Sequence, residues 1–90
     1  MKLEWTATAR TDRVRIARTI AQDNRSAARK LDIKLATSAD GLLDYPQRGR
    51  LGRLENTREL VVHPNYILVY EIDADTVRIL TILHAAQLWP

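Results

Sequence analysis

Ninety residues suffice for one small domain with a single core and leave no room for a second domain or a large substrate cleft. The chain is 46% hydrophobic and 28% charged, with no cysteine, so disulfides, thiolate catalysis and cysteine-based metal sites are excluded. Its net charge of +3 is carried mainly by arginine, whose planar donor fork suits phosphate and carboxylate alike, so either nucleic acid or an acidic protein is an allowed partner.

The opening segment "MKLEWTATAR" lacks an apolar core of signal-peptide length, and no later run approaches the ~20 apolar residues that span a bilayer. A cytoplasmic protein is expected. Within that segment Lys2 to Thr6 alternates in character and reads as a strand, after which Thr6 or Thr8 can cap a helix. Ile16, Ala17, Ile20 and Ala21 share one face of that helix. Arg10, Asp12, Arg13 and Arg18 fall largely elsewhere, and the arginines, with Arg15, read as a solvated face. The helix should end near Asp23-Asn24.

Asn24 or Ser26 can cap a second helix, in which Ala28, Leu31, Leu35, Ala39 and Leu42 recur at spacings of three and four. The short junction makes the pair a helical hairpin. Gly41 and then Tyr45-Pro46 close it, and "PQRGRLGR" follows as a loop carrying Arg48, Arg50 and Arg53.

From Thr57 the period becomes strand-like. Leu60 to His63, Tyr66 to Ile72 and Val77 to Leu83 are rich in valine, isoleucine and tyrosine and are separated by the turn-formers "HPN" and "DADT", which predicts a three-stranded antiparallel meander. Adjacent apolar positions such as Val61-Val62 and Ile67-Leu68-Val69 imply that both sheet faces are covered, one by the helical hairpin. The expectation is a single α+β domain over residues 1–90, of order β-α-α-β-β-β, with the hairpin packed on a mostly antiparallel four-stranded sheet.

This order, with "DYPQRGRLGR", "TRELVVHPNYILVYEI", the terminal "VRILTILHAAQLWP" and the early pattern through Trp5, Ala9, Asp12, Ile16, Ile20, Asp23-Asn24 and Ala27-Ala28, resembles the ParE/RelE superfamily of toxins from bacterial type II toxin-antitoxin modules. The likeness runs over almost the whole chain. It implies a cognate antitoxin that wraps the toxin, with Ile16, Ile20, Leu31 and Leu35 divided between core and antitoxin groove, and one of two targets: DNA gyrase for ParE-like members or mRNA on the ribosome for RelE-like nucleases.

Cleavage of RNA by its own 2′-hydroxyl needs a base, cationic donors for the phosphorane and an acid for the leaving oxygen. In RelE-like nucleases those groups stand on the middle strands, yet alignment with "YILVY" puts Ile67 where several carry arginine, and the preceding strand offers Glu59 and Val61. The nuclease candidates that remain are His84, Arg58 and His63. His63, beside Pro64-Asn65, reads as a turn histidine and His84 as a structural residue at a strand end. Tyr66 and Tyr70 read as core and Trp89 as a packing anchor. Arg48, Arg50, Arg53, Arg58 and Arg78 are the candidates for contact with the target or another anion. No phosphate-binding glycine loop or metal-ligand cluster accompanies them, so neither a cofactor nor a metal is expected. The resemblance thus favours a ParE-like gyrase inhibitor that binds rather than cuts. A ribosome-dependent endoribonuclease and a non-toxic interaction module on the same fold stand as the alternatives.

Overall fold

The computed structural model describes residues 1–87; Trp89, the expected anchor, lies outside them. Seven elements follow in order: β1 (Lys2–Trp5), α1 (Ala7–Ala21), α2 (Arg25–Gly41), β2 (Arg50–Leu51), β3 (Arg58–His63), β4 (Tyr66–Asp73) and β5 (Thr76–His84). They form one five-stranded sheet in the order β1-β5-β4-β3-β2. All neighbouring strands run antiparallel except β1, which lies parallel to β5. The expected four strands thus become five, because Arg50 and Leu51, read as loop, pair with Glu59 and Arg58.

Each helix starts where a side-chain oxygen can satisfy an otherwise unpaired amide. Thr6 Oγ1 accepts from the Ala9 amide at 3.1 Å and donates to the Leu80 carbonyl at 2.9 Å, so one hydroxyl caps α1 and joins it to β5. Asn24 caps α2 in the same way through Ala27. Arg13 then holds the hairpin together, with two 3.0 Å hydrogen bonds to Asp32 on α2 and its guanidinium stacked on Trp5 at 4.7 Å.

The main core lies between the hairpin and one sheet face. It unites Ala9 and Ile16 of α1 and Leu31, Leu35 and Ala39 of α2 with Leu68, Tyr70, Val77, Ile79 and Ile82 of the sheet. A smaller cluster of Ile67, Val69 and Leu83, with Leu80 against it, marks the opposite face, as the apolar runs implied.

Asp12, expected to fall off the apolar face of its helix, turns inward instead. It is 8% exposed, and its carboxylate accepts from Thr81 Oγ1 and from the Ile82 amide at 3.0 Å while Arg15 pairs with its other oxygen. Asp12 lies three residues after Ala9 and four before Ile16, so it shares their stripe, and donors from β5 make its burial tolerable.

Candidate functional site

The sheet face turned away from the helices is where paired strands would present chemistry, and its residues are fixed by register. Arg50, Glu59 and Val69 form one row across β2, β3 and β4; Val61, Ile67 and Leu83 form a second across β3, β4 and β5; Glu4, Arg78 and Glu71 form a third across β1, β5 and β4. The second row is wholly apolar. The other two contain arginine, but each arginine is committed to a carboxylate.

Glu59 organises the first row. It is 2% exposed; Arg50 Nη2 donates to one carboxylate oxygen at 3.1 Å, and the Arg53 amide donates to the other at 3.1 Å with the Arg53 guanidinium 3.4 Å away. Burial works to raise the Glu59 pKa, but the Arg53 amide, the Arg50 hydrogen bond and the two positive charges outweigh it and hold the carboxyl below its ordinary value. A buried anion thus pins Arg50 and Arg53, and with them the segment around β2, against the sheet.

Arg58 lies on the helix side, opposite Tyr70, and donates to the Gln47 and Gly49 carbonyls at 3.2 and 2.8 Å. Tyr70 completes this support: its hydroxyl donates to the Pro46 carbonyl at 2.6 Å and accepts from the Gly49 amide at 2.8 Å, and burial raises its pKa. Gly49 is required here, since a Cβ would stand 2.7 Å from the Tyr70 ring and hydroxyl. Arg78 reaches Glu4 at 3.1 Å, Glu71 at 3.2 Å and Asp73 at 3.3 Å, and these partners hold its pKa well above the ordinary arginine value. Of the five arginines expected to meet an anion, only Arg48 is exposed with no carboxylate within 4 Å among the described residues.

The nuclease candidates separate into two places. His63 and His84 both flank Tyr66 at the far end of the sheet, with ring centroids 6.0 and 5.4 Å from the tyrosine. Each imidazole Nδ1 accepts a backbone N–H at 3.1 Å, from Asn65 and Ala86 respectively, which leaves Nε2 to carry the proton in the neutral ring. His84 shares a small hollow with Arg15, Ile16, Thr19, Tyr66, Ile82 and Gln87, on the α1 side. Arg58 pairs with Tyr70, four residues along β4 from Tyr66, which sets it roughly 13 Å from that end. Its guanidinium is turned onto the Gln47 and Gly49 carbonyls, so the structure does not bring it together with the two histidines.

The residues expected to divide between core and antitoxin groove fall almost entirely to the core. Ile16, Leu31 and Leu35 are 5%, 7% and 1% exposed, and Ile20 is half-buried against them. Their three-and-four spacing marks the stripe that packs on the sheet, with Ile16 also lining the hollow beside His84. Large apolar side chains that do stand exposed are Val14 and Ile33 on the hairpin, Val61 on β3, and Met1, Tyr45, Leu51 and Ile72 near the β2 end. Tyr45, Ile72 and Met1 line one open groove with Asp44, Pro46, Gln47 and Arg48. Among the described residues no group of three or more histidines and carboxylates is placed to hold a metal ion, and no helix is long and apolar enough to cross a membrane.

Residues 3–89 match the family model described as the ParE toxin of the type II toxin-antitoxin system parDE. A Sinorhizobium fredii protein, the toxin-named Y4kP, is 40% identical over 99% of this chain and 93% of its own length. Toxin RelE2 of Caulobacter vibrioides is 42% identical over 93% of this chain and 94% of its own. Among solved structures, the chromosomal ParDE toxin-antitoxin system from P. aeruginosa superposes with a TM-score of 0.83 at 19% identity, covering 93% of this chain and 95% of that one. YafQ from E. coli follows the same fold at 0.65 and 17%, over 94% and 93% of the two chains.

Proposed function

Because the chain belongs to the ParE toxin family of type II toxin-antitoxin systems, we propose that it acts by binding, with DNA gyrase as its target, and is silenced by a cognate antitoxin. One observation carries the choice of a binding mode. On the sheet face away from the helices, the positions that would cradle a phosphorane hold Glu59, Val61 and Ile67, and the arginines beside them are engaged by Glu59, Glu4, Glu71 and Asp73. Freeing Arg50 and Arg53 would mean stripping the buried Glu59 carboxylate of its partners, which is strongly unfavourable.

The antitoxin's apolar contact falls to surface the fold leaves open. The groove of Tyr45, Pro46 and Ile72, with Leu51 78% exposed on the two-residue edge strand β2, offers apolar side chains beside unpaired backbone groups, the combination that captures an extended peptide.

The test is a pair of assays on the purified toxin: gyrase supercoiling and DNA cleavage, and mRNA integrity on translating ribosomes. Inhibition of supercoiling with mRNA intact supports the proposal. Ribosome-dependent mRNA cleavage with normal supercoiling would instead establish the endoribonuclease, and unimpaired growth of a host expressing soluble protein without antitoxin would establish a non-toxic interaction module.

A further inference from the structure

The positive charge of this chain is concentrated in the helical hairpin. Between Ala7 and Gly41 eight arginines and lysines face four aspartates, whereas the rest of the chain holds six cations and seven carboxylates. The sheet half is therefore net negative and its arginines largely committed, while Arg10, Arg18, Arg25 and Arg29 are exposed and have no carboxylate within 4 Å among the described residues. Arg10 and Arg18 line a shallow groove with Arg13, Val14, Ala17 and Asp32, where α1 meets α2. Arg25 and Arg29 precede Asp32 by seven and three residues, and so continue that stripe along α2. The four guanidiniums thus belong to one outer surface of the hairpin.

Two of them stand where helix physics disfavours them. Neither helix has an acidic residue in its first turn; Arg10 occupies that turn of α1 and Arg25 begins α2, each against the positive end of the helix dipole. Arg10 is held there by a 2.6 Å hydrogen bond to the Trp5 carbonyl, which leaves its other donors for an outside anion, whereas at Arg25 local helix stability is given up, as expected where a side chain serves such an anion.

We propose that this hairpin surface binds the phosphate backbone of duplex nucleic acid. Arg10 and Arg18 are eight residues apart, roughly 12 Å along the α1 axis, which is about the width of a B-DNA major groove. Arginine forks suit phosphate oxygens. Val14 and Ile33 are exposed singly rather than as a continuous apolar floor, which disfavours an amphipathic peptide helix as the occupant. No aromatic residue occurs between Ala7 and Gly41, so the stacking platform that single strands require is missing. The contact is independent of sequence, made to backbone rather than to base edges.

The test needs neither gyrase nor ribosomes and so stands apart from the target assays. Fluorescence anisotropy of the full chain with a labelled 20-base-pair duplex, titrated with salt, is run on the parent, on Arg18→Gln/Arg25→Gln/Arg29→Gln, and on the charge-matched control Lys2→Gln/Lys34→Gln/Arg48→Gln. Circular dichroism confirms that all three fold. The hairpin variant should lose at least about tenfold in affinity at ~100 mM salt, and the slope of log K against log salt should shallow by about 2.7. The control should keep most of the parent's affinity. Equal losses in the two variants would reduce the effect to net charge and overturn the proposal. Failure of the parent to bind duplex while it binds an acidic peptide would overturn it too, and assign the surface to a protein.

Discussion

Replacing Glu59 with glutamine keeps the side-chain shape while removing the charge that Arg50 and Arg53 share. The carboxylate is 2% exposed and makes a 3.1 Å hydrogen bond to the Arg53 amide and another to the Arg50 guanidinium. A buried charge-assisted hydrogen bond contributes about 1.5–3 kcal/mol, but both guanidiniums are about half-exposed, so the ion pairing is discounted toward the surface value of under about 1 kcal/mol each. Glutamine retains one acceptor, so the expected loss is about 2 kcal/mol at pH 7, a fall in melting temperature of about 8–16 °C for a chain this size. The pH dependence has a definite sign. Since the folded carboxyl titrates below its ordinary value of 4.5, its contribution is complete above that value and is lost as pH falls through the folded pKa. The gap between parent and variant should therefore be widest at neutral pH and close on acidification. Thermal melts by circular dichroism from pH 7 to pH 3 measure it. A variant that melts within about 2 °C of the parent at pH 7 would refute the view that Glu59 pins the β2 segment.

Asp12→Ala should cost about 2–4 kcal/mol, because it strands the buried Ile82 amide and the part-buried Thr81 hydroxyl; urea unfolding gives the value, and a loss below about 1 kcal/mol would contradict the pinning of α1 to β5. Ala74 turns between β4 and β5 with φ at 52°, a conformation that costs an L-residue about 1 kcal/mol, so Ala74→Gly should stabilise the protein by up to about that amount in the same experiment.

Elements whose physics is local were legible in the sequence. The three-and-four spacing located both helices, Thr6 and Asn24 were among the expected caps, and "HPN" and "DADT" marked the two tight turns between β-rich runs. What escaped depends on register between distant residues. Arg50 and Leu51 are too few to show a period, and they become a strand only because Arg58 and Glu59 lie opposite. Asp12 sat on the buried stripe of α1, but its donors are about seventy residues away on β5.

The site was legible in part. Glu59, Val61 and Ile67 stood out as residues unsuited to a phosphate cradle, yet that Glu59 would consume Arg50 and Arg53 required the β2–β3 pairing. The same spacing that identified Ile16, Leu31 and Leu35 as an apolar set could not say which side of the hairpin they face. Packing against Leu68, Tyr70 and Ile79 places them in the core.

The measurement that bears most directly on the account is gyrase supercoiling with purified toxin, with and without His84→Ala and Arg58→Ala, beside mRNA cleavage on translating ribosomes. The account predicts inhibited supercoiling and intact mRNA, with inhibition retained in the folded His84→Ala protein. Ribosome-dependent cleavage that His84→Ala abolishes, with supercoiling untouched, would contradict it.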